Sequence, residues 1–168
     1  MDAVRLIAAG RHALAQSRTV GDTVVEAWQA QALAQTMGSW LAVTGPPELR
    51  TEARGLGEAG GRGCGVLDRQ ALGLDARADT VPRSAQLSAL GDLRQALLGL
   101  GALLGEVGIA LVSVACATDD EGLYWHCIEA IDAADESSDR VRAILRRLTD
   151  RERGSSSGAA RDSTAGAG

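Results

Sequence analysis

One uninterrupted apolar segment, residues 96–117, limits how the rest of this chain can fold. It is 22 residues long, and Glu106 is its only charged residue. A helix that is apolar on all sides is either the central helix of a soluble bundle or a membrane span. About 20 apolar residues are enough to cross a bilayer. The remaining segments must therefore cover this helix, or a membrane must.

Three features of this segment favour the soluble bundle. Four glycines lower its hydropathy, and Glu106 lies near its middle, where a charge is most costly to insert into a bilayer. Its flanks also lack a cluster of positive charge, since Arg94 precedes it and three acids follow at 119–121. We expect a soluble central helix and keep membrane association through residues 96–117 as an alternative.

The composition excludes some classes of protein. With 168 residues the chain can bury one substantial core. A net charge of −5 argues against general nucleic-acid binding. No basic segment followed by an apolar one opens the chain, so no signal peptide is predicted. The three cysteines lack metal-site spacing, which favours reduced thiols in a cytoplasmic protein: Cys64, Cys116 and Cys127.

Apolar spacing predicts two helices and a short third one in the first part of the chain. The first covers residues 2–17, and a capping box at 19–22 begins a second that continues to about Val43. The prolines of Gly45-Pro46-Pro47 end it, and a short helix follows over about 47–58. Residues 59–83 are rich in glycine and predict a long loop, either a surface loop or the wall of a ligand site.

The second part of the chain predicts two long helices. Ser84 is the expected N-cap of the fourth helix, which ends near Ala117 and should bend at Gly99 and Gly101. A capping box at 118–121 begins the fifth helix, which reaches about Leu148. Its apolar seam alternates spacings of four and three, at Cys127, Ile131, Ala134, Ser138, Val141, Leu145 and Leu148.

These elements predict an all-α fold. It is an antiparallel bundle of four main helices with one short helix and a long loop, formed by residues 1–153. Residues 154–168 hold no apolar side chain larger than alanine and predict a disordered tail.

Glu106 is the first candidate for a functional site. If the carboxylate is buried, it must be hydrogen-bonded, paired or protonated, and it becomes the polar centre of a binding or catalytic bundle. An arginine from one of the first three helices could pair with it and make it structural. If its face is open to water, it is an ordinary surface residue.

The second candidate is the patch Tyr124, Trp125, His126 and Cys127, in which the chemically capable side chains are densest. His126 and Glu129 are three residues apart, but a di-iron bundle needs more histidines and glutamates than this chain has. Cys127 lies on the apolar seam, which argues against a Cys–His nucleophile. We therefore predict neither a metal site nor a cofactor, and expect the patch to close one end of the core.

Charge separates along the fifth helix. Residues 119–139 contain eight acids and no arginine, and residues 140–153 contain six arginines. Such acids could bind a cation or a basic partner, but a solvated helix face explains them better. The basic end could also pair with the acidic part of a second copy.

Three segments carry a resemblance: VVEAWQAQALAQ at 24–35, GPPELR at 45–50 and CATDDEGLYWHCIEAIDAADES at 116–137. They resemble a family of uncharacterised small helical proteins from Streptomyces-type actinobacteria, over most of residues 1–150. The resemblance implies a cytosolic all-helical protein and transfers no activity, ligand or catalytic residue.

The sequence thus favours a non-catalytic interaction or scaffold protein. Self-association could use the fifth helix or the glycine-rich face of the fourth. One alternative is a small-molecule-binding or catalytic bundle around Glu106, with the patch at residues 124–127 or the loop at 59–83 as the wall of its site. The other is a membrane-associated protein.

Overall fold

The computed structural model describes residues 1–68, 72 and 81–164, with side chains up to residue 158, and it confirms the all-α class. In the described ranges five helices form the fold: α1 (Ala3–Gln16), α2 (Val20–Thr44), α3 (Arg50–Val66), α4 (Leu93–Ala117) and α5 (Glu121–Thr164). Two short 3-10 turns precede α3 and α4, at Pro47–Leu49 and Arg83–Gln86.

Neighbouring helices are antiparallel in most pairs. In the α2/α3 pair, the N-terminal part of one helix lies against the C-terminal part of the other, and the same holds for α3/α5 and α4/α5. Helix α1 is the exception. It runs parallel to α4, since Ile7 lies beside Gly99 and Gly10 beside Leu103.

Helix α4 is not the fully covered central helix that its apolar sequence predicts, because the described helices cover only one side of it. It contacts α1, α2 and α5, and one side of it is fully buried. Burying each large aliphatic side chain contributes roughly 1.5–3 kcal/mol relative to leaving it exposed. The core residues of α4 therefore supply much of the fold's stability: Leu97, Leu100, Leu103, Leu104, Val107 and Leu111. The helix is continuous through Gly99 and Gly101.

The third helix is longer than predicted, and the expected loop over residues 59–83 is wrong for its first part. Helix α3 continues to Val66, while residues 69–71 and 73–80 lie outside the described ranges. The glycines of this segment let α2 and α3 approach closely. A Cβ atom on Gly60 would lie 2.5 Å from the backbone nitrogen of Gln35, so a side chain there would push the helices apart.

Helix α4 begins eight residues later than predicted. Its N-cap is Asp92, whose side chain accepts a hydrogen bond from the Gln95 amide at 2.9 Å. Ser84 lies instead in the second 3-10 turn and is buried. The amino terminus holds the following segment, because the Met1 ammonium donates to the Gln86 carbonyl at 2.9 Å and to the Ser88 hydroxyl at 2.8 Å.

Helix α5 begins at Glu121 with Asp120 as its N-cap, because the Leu123 amide donates to the Asp120 carboxylate at 3.1 Å. The capping box predicted at 118–121 therefore marks the start of the helix correctly, but its predicted cap, Thr118, is wrong. The Thr118 hydroxyl accepts from the Asp120 amide instead of from an amide in the first turn of the helix. Five of the seven residues of the predicted seam are buried in the core, while Ile131 and Leu145 are half-buried. The helix is described to Thr164, beyond the predicted start of the tail at Gly154, and residues 151–158 are all exposed.

Candidate functional site

Glu106 is open to water and paired, so it is not a buried charge. Its side chain is 38% exposed. The Arg11 guanidinium on α1 donates from Nε to both carboxylate oxygens, at 3.0 and 3.1 Å, and from Nη2 to one of them. The hydrogen bonds and negative charge of Glu106 raise the pKa of Arg11. The pair is a bidentate surface bridge between α1 and α4.

A groove lies beside this ion pair, between α1 and α4. Its volume is about 480 Å³, and it opens to solvent. Apart from the pair itself, its walls are mostly apolar, with one imidazole: His12, Leu14, Ala15, Ile109 and Ala110.

A second groove lies on the other side of Ile109, between α4 and α5. Its volume is about 360 Å³. It is lined by Gly105, Gly108, Ile109, Val112, Ser113, Ile131 and Asp135. Ile109 therefore forms a ridge between two grooves, and its side chain is 71% exposed.

Ile109 belongs to a row of exposed residues along α4, which we call the α4 face. Its members alternate spacings of four and three, the pattern of a helix that packs against another helix. They are Leu98, Ala102, Gly105, Ile109, Val112 and Cys116. Among the described residues α4 is the one helix long and apolar enough to span a membrane. The most apolar 18-residue stretch of this helix has a mean hydropathy of 2.1, and 39% of that stretch is buried.

No contact within the described chain explains the glycines near the middle of the α4 face. A Cβ atom built on Gly105 or on Gly108 would meet nothing within 4 Å. Glycine inside a helix costs roughly 0.5–1 kcal/mol relative to alanine. By contrast, Gly99 and Gly101 of the same helix lie against Ile7 and Val141.

The patch at residues 124–127 does not close the core as predicted. Tyr124 and Trp125 are exposed and pack edge to face, with ring centroids 5.3 Å apart. Cys127 alone is buried, and burial raises the pKa of its thiol. His126 Nδ1 lies 2.6 Å from the Gly122 carbonyl oxygen. The patch is near the C-terminal end of α4, and none of its residues lines the groove beside Glu106.

The acids of α5 divide into two groups. Glu129, Asp132 and Asp139 are exposed, as a solvated face requires. Glu136 instead pairs with Arg62 and Arg140, which joins α3 to α5. Within the described ranges no three His, Cys, Asp or Glu residues are placed to hold a metal ion.

Two arginines of the basic end serve the fold. Arg140 donates to Glu52 on α3 at 2.9 Å, and Arg147 lies 3.6 Å from the same carboxylate. The Arg140 hydrogen bond holds the pKa of Glu52 below its ordinary value, with a further contribution from the charge of Arg147. These arginines are therefore satisfied within the chain rather than free for a second copy.

The sequence pattern contains a signal for the α4 face that the prediction of a covered central helix leaves unused. Helix α4 carries two seams of spacing four and three. One is buried, and the other consists of Leu98, Ile109, Val112 and the small residues between them. Only the structure shows that its own helices cover one seam and leave the other exposed.

Comparison with known proteins defines the family. No curated protein and no solved structure matches the chain. A family model does match, over residues 1–147, which include the described parts of α1 to α4 and the packed part of α5. The chain therefore belongs to a family of unknown function, DUF6099.

Proposed function

We propose that this chain is a non-catalytic helical interaction protein of the cytoplasm, which binds a protein partner through the α4 face. The observation that carries the proposal is the exposed row centred on Ile109. Exposed apolar rows of this length mark interaction sites in soluble proteins. The glycines at 105 and 108 support it, because they keep the helix backbone accessible and no contact among the described residues requires them.

A membrane is a less suitable occupant of this surface. Helix α4 packs against three other helices through large aliphatic side chains, and spanning a bilayer would require that core to open. The acids at 119–121 and Asp135 beside the face are also repelled by anionic lipid headgroups. Recovery of all the protein in the soluble fraction without detergent is the result we expect. Flotation with liposomes would overturn this part of the proposal.

The test compares I109D with wild type and a matched control. Val43 on α2 is also an exposed aliphatic residue, so V43D adds the same charge away from the α4 face. Light scattering coupled to size exclusion, and capture of partners from the parent lysate, are measured for all three proteins. We expect wild type and V43D to form a complex and I109D to lose it. A wild-type monomer that captures nothing contradicts the proposal, as does a complex that I109D leaves intact.

The mostly apolar groove beside Arg11 and Glu106 favours a second function, the binding of a small apolar molecule. The test probe is 8-anilinonaphthalene-1-sulfonate. A15W fills this groove and leaves the groove on the other side of Ile109 open. Loss of probe fluorescence in A15W supports a binding groove, and unchanged fluorescence contradicts it.

A further inference from the structure

We infer that the partner on the α4 face is a second copy of this chain, with the two α4 helices antiparallel. The two-fold axis crosses the α4 face between Gly105 and Ile109, at the level of Val107 along the helix. The inference rests on the proposed function, since it names the occupant of the same surface. A two-fold interface pairs each residue with a different residue of the other copy, and the surface must be complementary to itself.

The sizes of the side chains along the α4 face show this self-complementarity. With the axis at the level of Val107 along the helix, Leu98 lies opposite Cys116 of the second copy, and Ala102 lies opposite Val112. The third pair places Gly105 opposite Ile109. Each pair joins a large side chain to a small one, so the spacing between the helices can stay constant along the whole row.

A parallel pairing of the same face packs worse. It would set Ile109 against Ile109 and hold the helices apart at that point. One turn earlier it would set Gly105 against Gly105, and a void would result. Cavities and overpacking each cost stability in a closely packed contact, so size complementarity selects the antiparallel pair.

The groove between α4 and α5 is the receiving surface for Ile109 of the second copy. Its floor includes Gly105 and Gly108, where the chain leaves open space above the backbone. A side chain inserted between residues of a facing helix is the usual contact of paired helices. This arrangement explains why glycine is useful at both positions despite its cost within a helix.

The surface is also large enough for a stable dimer. The row from Leu98 to Cys116 is about 27 Å long at 1.5 Å per residue, and with α1 and α5 beside α4 the surface is roughly three helix diameters wide. That corresponds to about 800 Å² per copy, the size of a standard interface. At its rim, Asp135 lies near the level of the axis, so repulsion between the two copies' carboxylates should weaken the dimer at low salt.

Disulfide trapping tests the register. The two Cys116 residues would be about 27 Å apart along the antiparallel pair, far beyond the roughly 7 Å that a disulfide allows between α carbons. With a copper–phenanthroline oxidant we expect no covalent dimer of wild type. L98C should give one, in which position 98 is linked to Cys116 by peptide mapping. L98C/C116A is the control and should give none.

Different failures point to different errors. A covalent wild-type dimer through Cys116, or a covalent L98C/C116A dimer, overturns the antiparallel register but not the proposed function. A wild-type monomer that nevertheless binds another protein through Ile109 overturns the inference that the partner is a second copy of this chain. A chain that binds nothing overturns both proposals.

A pair of substitutions tests the contact between Gly105 and Ile109 without a cross-link. G105I alone sets two isoleucines against each other and should weaken the dimer at least about tenfold, because the overpacked contact occurs twice in a two-fold dimer. G105I/I109G exchanges the large and small members of the pair and should restore association. Circular dichroism checks that both variants fold. Failure of the double variant to recover, with folding intact, contradicts the inferred pairing.

Discussion

Gly38 of α2 and Gly57 of α3 lie so close that a Cβ atom on Gly38 would be 2.4 Å from the Gly57 backbone nitrogen. The same atom would be 2.7 Å from the Ala53 carbonyl oxygen. Both obstacles are backbone atoms, which cannot rotate away as a side chain can. The close contact between α2 and α3 therefore depends on glycine at this position.

G38A should destabilise the protein by about 2 kcal/mol, because the helices must separate to admit the methyl group. G65A is the control in the same helix pair, since a Cβ atom there would meet nothing within 4 Å. It should leave stability unchanged or raise it by up to roughly 1 kcal/mol. Urea denaturation followed by circular dichroism measures both. Equal effects of the two substitutions on the unfolding free energy would show that the close contact at Gly38 does not restrict the residue at this position.

The glycines of α3 also show where inference from sequence stops. Periodic apolar spacing is a local property, and it predicts α1, α2, the presence of α4 and the seam of α5. A glycine in a loop and a glycine in a tight helix contact look alike in one sequence, because the difference depends on a neighbour distant in the chain. The sequence therefore predicts a loop for residues 59–66, although they are helical.

Prediction of the candidate site from the sequence also stops at contacts between residues that are distant in the chain. The sequence identified Glu106 as unusual and left open whether it is buried or paired. Its partner Arg11 is 95 residues away, and nothing in the local pattern of either residue indicates the other. The exposed side of α4 was equally indeterminate, because an all-apolar helix does not reveal which of its faces the bundle covers.

The start of α4 gives a prediction about capping. D92A removes the acceptor for the Gln95 amide and should cost about 1 kcal/mol of stability. D92N keeps an acceptor oxygen and should recover most of the loss. D119A removes an exposed acid before α5 and controls for the change in net charge. Thermal unfolding compares the three, and a D92N variant as unstable as D92A would contradict the capping role.

The three thiols should differ in reactivity. Burial raises the pKa of Cys64 to about 11 and also raises that of Cys127, while Cys116 is exposed. Because the thiolate is the reactive form, Cys116 should react first with a disulfide reagent near neutral pH in dilute solution. C116A should remove the fast phase, and all three thiols should react in denaturant. A fast phase that survives in C116A would be inconsistent with the burial of Cys64 and Cys127.

The last part of α5 should add little to stability. Residues 151–158 are exposed, and the segment is rich in glycine and serine, which favour helix weakly. A chain that ends at Arg153 should keep its unfolding free energy within about 0.5 kcal/mol of the full-length value. If the segment is disordered in solution, as its composition predicts, the total helical signal per molecule should also be unchanged. A loss equivalent to the missing residues would show that they are helical in solution.

The bridge between α3 and α5 predicts a pH dependence. The pKa of Glu52 is lowered in the folded protein, mainly by the Arg140 hydrogen bond. The stabilisation of the fold by the Glu52 charge is therefore fully present above the ordinary glutamate pKa, near 4.3. It is lost as the pH falls through the lower pKa that Glu52 has in the folded protein. E52Q removes the charge at every pH, and should cost about 1 kcal/mol at pH 7.

The informative quantity is the difference between the unfolding free energies of wild type and E52Q. It should be constant between about pH 7 and 5. It should then shrink as the pH falls from about 4.5 through the lower folded pKa, because Glu52 of the wild type becomes protonated and both proteins end neutral at this position. The other carboxylates titrate in both proteins and cancel. E129Q changes an exposed acid on α5 and should follow the wild-type curve at all pH values. A difference for E52Q that persists undiminished at pH 2 would show that the loss comes from packing or hydrogen bonding rather than from the charge of Glu52.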